Sequence, residues 1–144
     1  MDHPDFPPAI WFACIAWVVT VGTVSALVRW RRGKPIRPRV PADALFAQRD
    51  ASARFASKCL LVWITPDQLC VVPKFPFTLG FLPDIYGLEH AIALGRIQDV
   101  GLRESLMGSN VIVRYDGGAK RLGLRLNNPH AFFAVLRDRG VRAG

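Results

Sequence analysis

With 144 residues the chain holds one ordinary domain, and if a segment enters a membrane then roughly a hundred residues remain to fold around a small core. Apolar residues make up 51% and the mean hydropathy is +0.20, which is high for a soluble domain of this size and points to a local apolar excess. A net charge of +8 would suit a nucleic-acid binder if it were spread over one face; instead six of the eight excess charges, Arg29, Arg31, Arg32, Lys34, Arg37 and Arg39, follow one another with no acid among them, and no nucleic-acid partner is expected.

The apolar excess lies at the front. Residues 1–8 form a short leading segment with Asp2 and Asp5 but no Lys or Arg. From Ala9 to Val28 twenty residues pass without a charge. As a helix rising about 1.5 Å per residue they measure about 30 Å, the thickness of a bilayer's hydrocarbon core. Pro7 and Pro8 suit the helix start. Trp11 and Trp30 flank the segment at positions expected near the two membrane interfaces, where indoles act as anchors. The β-branched run Val18 to Val21 would weaken a helix in water, but in lipid every amide needs an internal partner, so a helix is expected regardless. With cations only on the C-terminal flank, the expected topology is single-pass in the cytoplasmic (inner) membrane, N-terminus outside and C-terminal domain in the cytoplasm. A cleavable signal peptide would carry its positive charge before a shorter apolar stretch, not after a long one. Gly22 and Ala26 form a small-xxx-small pair; it is a candidate helix contact with a second copy or another membrane protein, although such pairs also arise by chance.

Residues 29–41 read as a basic, proline-rich linker. Gly33, Pro35, Pro38 and Pro41 break helix and favour an extended, semi-rigid tether. The six cations are topology determinants and candidate contacts for anionic lipid headgroups, each drawn to such a surface by about 1 kcal/mol.

The remaining 42–144 read as a cytoplasmic domain. Asp43 to Ser57 is expected to be a short amphipathic helix, from Leu45, Phe46, Arg49 and Phe55. Cys59 to Thr65, the turn Pro66-Asp67-Gln68 and Leu69 to Val72 have the signature of a hairpin ended by Pro73. In Lys74 to Glu89 the alternation of Phe75, Phe77, Leu79 and Phe81 suggests a strand bent at its prolines. Most of these rings would be core in so small a domain; the other reading is an exposed apolar docking patch that dips into the bilayer or grips a partner. Ala91 to Glu104 reads as one strand with bends at Gly95 and Gly101, and Met107 to Asn110 as a turn. Val111 to Tyr115 and Arg121 to Leu126 form a second hairpin around Asp116-Gly117-Gly118. Asn128 as cap, Pro129 at the first helical position, the stripe Phe132, Phe133, Val135 and Leu136, and Gly140 as stop define a C-terminal helix.

The fold class is therefore α+β. From Ala42 to Arg139 the order of elements resembles the bacterial pleckstrin-homology-like domains, through Trp63-Ile64-Thr65-Pro66-Asp67-Gln68-Leu69, Ile92-Ala93-Leu94-Gly95-Arg96-Ile97, the hairpin Val111 to Leu126 and the helix behind Asn128-Pro129. That resemblance implies a bent antiparallel sheet or near-barrel capped by the C-terminal helix, often tethered to membrane helices in bacteria, and a binding or assembly role. Phosphoinositide recognition does not carry over, because lipid-binding members of the wider fold gather cations around the first hairpin, where Asp67 and Gln68 stand here.

Little in the sequence points to chemistry. His3, His90 and His130 are isolated, Glu89 beside His90 is a lone pair, and Gly117-Gly118 belongs to a turn, so no catalytic residue, metal or cofactor is expected. Cys14, Cys59 and Cys70 have no ligand spacing and read as reduced thiols. The expectation is a non-enzymatic membrane-anchored module that docks another membrane protein or itself. The alternative is a small accessory enzyme or regulator with an unrecognised site.

Overall fold

The computed structural model of the chain describes residues 7–53, 56–75, 77–79, 87–106 and 108–144. Helix α1 runs Pro8–Arg31, with Pro8 in its first turn, and so continues three residues beyond the uncharged run. At 24 residues and a hydropathy of 2.0 over its most apolar window, it is long and apolar enough to cross a membrane. Only 6% of that window is buried, so α1 is not the core helix of a soluble fold. The hydroxyls of Thr20 and Thr23 donate to the carbonyls of Ala16 and Val19 at 2.7 and 2.8 Å, which satisfies them inside the helix.

The domain behind it is built on two four-stranded sheets. In the first, β1 (Phe46–Ala53), β2 (Ala56–Ile64), β3 (Gln68–Pro73) and β4 (His90–Ala93) pair antiparallel in chain order. In the second the order is β7 (Lys120–Leu124), β6 (Gly108–Tyr115), β5 (Ile97–Ser105) and β8 (Arg142–Ala143), the last pairing parallel to β5. Ser52 and Arg125 exchange backbone hydrogen bonds of 3.1 and 2.7 Å and link the two sheets at the β1 and β7 side. The sheets bend around one core but do not close into a barrel.

Alternation supplies that core: Leu60, Val62 and Ile64 of β2 face Leu69 and Val71 of β3, with Val111 and Val113 of β6 and Leu122 and Leu124 of β7 opposite. Helix α2 (Pro129–Asp138) covers the assembly with Phe132, Phe133 and Leu136. Phe132 packs edge-on against Phe46 at 5.5 Å between ring centroids. The Asn128 side chain accepts from the Ala131 amide, the expected cap, and Gly140 at φ +80° turns the chain into β8.

Several elements differ from expectation. The helix expected over Asp43 to Ser57 is not found among the described residues: Phe46–Ala53 form β1, Ala56 and Ser57 open β2, and Arg54 and Phe55 lie outside the described residues. The register of β1 shifts between Gln48 and Ala51, where Asp50 sits at φ +63°, so the half-buried side of the strand changes from Phe46 and Gln48 to Ala51 and Ala53. The stretch from Ala91 to Glu104 is two strands in different sheets, divided by a 3₁₀ turn at Leu94–Arg96 that Leu94 anchors through its amide to the Asp67 carbonyl. Residues Phe77–Leu79 form a 3₁₀ turn instead of a strand, because Thr78 is the buried residue there and its hydroxyl donates to the Ile36 carbonyl at 2.6 Å. Gly108, Ser109 and Asn110, expected in a turn from Met107, already belong to β6, with Gly108 at φ +115°, and Met107 lies outside the described residues. Both the Asp67 turn and the Asp116 turn are hairpins as expected, but the former joins β2 to β3 and is the second hairpin of its sheet.

Candidate functional site

The distinctive chemistry gathers where α1 meets the domain. Gly33, at φ +67°, reverses the chain behind the helix, and the Lys34 amide returns to the Arg29 carbonyl at 2.9 Å. The segment expected to be an extended tether is therefore folded back on the domain. Arg29 Nη1 donates to Glu89 Oε1 at 2.5 Å and Nη2 to the Pro35 carbonyl at 3.0 Å, while Lys34 Nζ reaches Glu89 Oε2 at 2.6 Å. Glu89 thus receives one cation on each oxygen. Arg29 is 3% exposed, whereas the Lys34 side chain is 38% exposed, so the first pair is shielded from water and the second is partly screened by it.

Burial pushes the Glu89 carboxyl up, but the hydrogen bonds and charges of Lys34 and Arg29 outweigh it and hold it below the usual carboxylate range. Burial keeps the His90 imidazole below its ordinary value, helped by the Lys120 charge against a backbone hydrogen bond at Gly87, and burial raises the Cys70 thiol. These groups line a cavity of about 430 Å³ between the folded-back linker and the outer face of the first sheet. Its lining includes Arg29, Lys34 and Arg39 from the helix end and linker, Trp63, Cys70 and Val72 from β2 and β3, and Glu89 and His90 at the start of β4. In that cavity cations engage both Glu89 oxygens, and burial shifts the Cys70 thiol up and the His90 imidazole down. Arg29 Nε is buried without a hydrogen-bond partner among the described residues.

Of the cations expected at the lipid surface, Arg31, Arg32, Arg37 and Arg39 are exposed, while Arg29 is turned inward and Lys34 is half-buried against Glu89. Arg37 also stacks over the Phe75 ring, 4.5 Å from its centroid. Trp11 and Trp30 are exposed at opposite ends of α1. Gly22 and Ala26 are half-buried, and a Cβ added at Gly22 would meet nothing within 4 Å, so the chain leaves that position open. Phe75 and Phe77 are 41% and 47% exposed, so these two rings are not core; Leu79 is half-buried, and Phe81 lies outside the described residues.

The expectation missed Glu89 as a partner of the cations, having weighed it only beside His90. A lone carboxylate just ahead of an apolar strand, in a chain with six clustered cations, was the available signal. Cys14, Cys59 and Cys70 are free thiols, Cys14 exposed on α1 and the other two buried. No protein-family model matches the chain, and no curated protein matches it.

Proposed function

We propose that this chain is a membrane-anchored, non-enzymatic binding or assembly module, in which α1 spans the cytoplasmic (inner) membrane, the N-terminus lies outside, and the sheet domain docks a protein partner or a second copy at the cytoplasmic face. The observation that carries this reading is the double ion pair of Glu89 with Arg29 and Lys34. A loose tether would suffice to keep a domain near a membrane. A fixed junction presents one face in one orientation, which is what a docking module needs. Arg31, Arg32, Arg37 and Arg39 are arranged to meet anionic headgroups, and nucleic acid is not a partner in this reading. The succession of four antiparallel strands, then β5 to β7, then the capping α2, supports the pleckstrin-homology-like assignment.

A second reading, an accessory enzyme or regulator of a membrane complex, is favoured by the meeting of Glu89, His90 and Cys70 at one cavity. Against it, both Glu89 oxygens are already engaged by Arg29 and Lys34, which leaves the carboxylate poorly placed to act as a base. The test is to express the full chain with a C-terminal reporter, fractionate the membranes, and determine the mass and composition of the particle extracted in mild detergent. A membrane-bound protein with a cytoplasmic C-terminus, in a complex larger than one copy, is the expected result. A protein in the supernatant, a periplasmic C-terminus or a lone monomer overturns the proposal.

A further inference from the structure

Within the domain, the 3₁₀ turn Phe77–Leu79 is packed against α1. The two buried residues of α1 are Ser25 and Arg29, one turn apart on a single face. Ser25 lies within the uncharged run, three residues before its end at Val28, or about 4.5 Å along the axis. The buried face of α1 thus reaches into its last apolar turn, and the turn Phe77–Leu79 packs against this helix.

What this segment turns outward is apolar. Phe75 and Phe77 expose 41% and 47% of their surface, and Ile36, whose carbonyl accepts from Thr78, exposes 37%. Two contacts tie these residues to the linker: Thr78 is fully buried and bonded to the Ile36 carbonyl, and Arg37 sits over Phe75. Exposed Arg31, Arg32 and Arg37 add the cations that an anionic leaflet attracts. Exposed rings, one with the Arg37 guanidinium over it, on a turn packed against an apolar helix, match an interfacial insertion more closely than a groove for a peptide.

We infer that the segment carrying Phe75 and Phe77 is a second membrane-contacting element, with both rings seated in the headgroup and acyl boundary beside α1. This rests on the reading of α1 as a membrane span. The domain is then held down by a foot as well as by its helix, and its tilt relative to the bilayer is fixed.

The experiment uses the full chain in vesicles of phosphatidylethanolamine and phosphatidylglycerol. In a Cys14→Ser background, where Cys59 and Cys70 are buried, nitroxides are attached at Phe75→Cys, Phe77→Cys and Trp17→Cys in separate proteins. Depth is read from collision with oxygen against a water-soluble nickel chelate, calibrated with lipids labelled along their chains. The expected result places the labels at 75 and 77 about 5–10 Å into the boundary layer, with the label at 17 far deeper. A deep label at 17 with water-exposed labels at 75 and 77 overturns the insertion while leaving the span intact, and would assign the patch to a protein partner. A water-exposed label at 17 overturns both. Because the rings at 75 and 77 are exposed, two independent positions guard against one variant failing to fold.

Discussion

Sixty residues apart in sequence, Arg29 at the foot of α1 and Glu89 ahead of β4 meet at 2.5 Å, with Arg29 almost wholly enclosed. Removing one partner leaves a charge in a place that water does not reach. Glu89→Gln is therefore expected to cost on the order of 3 kcal/mol, measured by chemical unfolding in detergent micelles. Arg29→Met combined with Glu89→Met should recover most of that loss. Lys34→Ala, which breaks the more exposed pair, should cost less than about 1 kcal/mol. Equal losses for the Glu89 and Lys34 variants would contradict the shielding of Arg29.

Acid should weaken the domain in two stages. His90 is held below its ordinary pKa by burial, so the unfolded chain takes up a proton first and stability declines as the pH falls below about 6.5. Glu89 is also held low, so its contribution is complete above the ordinary carboxylate range and is lost as the pH falls through its depressed value in the folded state. Unfolding followed from neutral pH downward should show both declines, and His90→Gln should flatten the first alone. A stability that rises on acidification would refute this.

Core and surface aromatics should separate cleanly. Phe132 is fully buried between Phe46 and Phe133, and Phe132→Ala is expected to cost about 3–5 kcal/mol. Phe77→Ala, at a half-exposed ring, should shift detergent-phase stability by less than about 1 kcal/mol. Comparable losses at the two positions would mean that Phe77 is packed in the core.

Gly22 has room for a side chain without disturbing its own chain, yet a larger residue would keep a neighbouring helix at a distance. Gly22→Ala, whose Cβ meets nothing within 4 Å, should leave the thermal unfolding midpoint unchanged, and Gly22→Leu should reduce self-association by about tenfold. Energy transfer between labelled copies in vesicles reads this directly; unchanged transfer would remove Gly22 and Ala26 from any helix contact.

The parts of the fold that could be read in the sequence carry their signal locally. α1 is marked by an uncharged run, the β2–β3 and β6–β7 hairpins by alternation around turn residues, and α2 by Asn128, Pro129 and Gly140 at its ends. β1 escaped because the register shift around Asp50 moves its buried residues from even to odd positions, which imitates a mixed helical spacing. The division of β4 from β5 escaped because Ile92, Leu94, Ile97 and Val100 give an apolar series that continues through the turn at Gly95. β8 is two residues long and pairs parallel with a strand some forty positions earlier, a relation that no local pattern announces. The junction at Glu89 was hidden for the same reason: its partners are 55 and 60 residues away, and the cations that meet it look from sequence like their lipid-facing neighbours.

The bond from Arg29 to Glu89 makes the last turn of α1 an axle keyed to its wheel. Successive residues of a helix differ by about 100° in azimuth, so a neighbour in the membrane that rolls α1 by one residue would sweep the whole sheet domain through the same arc across the leaflet. With α1 in a bilayer, as proposed, torque applied among the lipids would arrive as a change in which face the domain offers to the solvent.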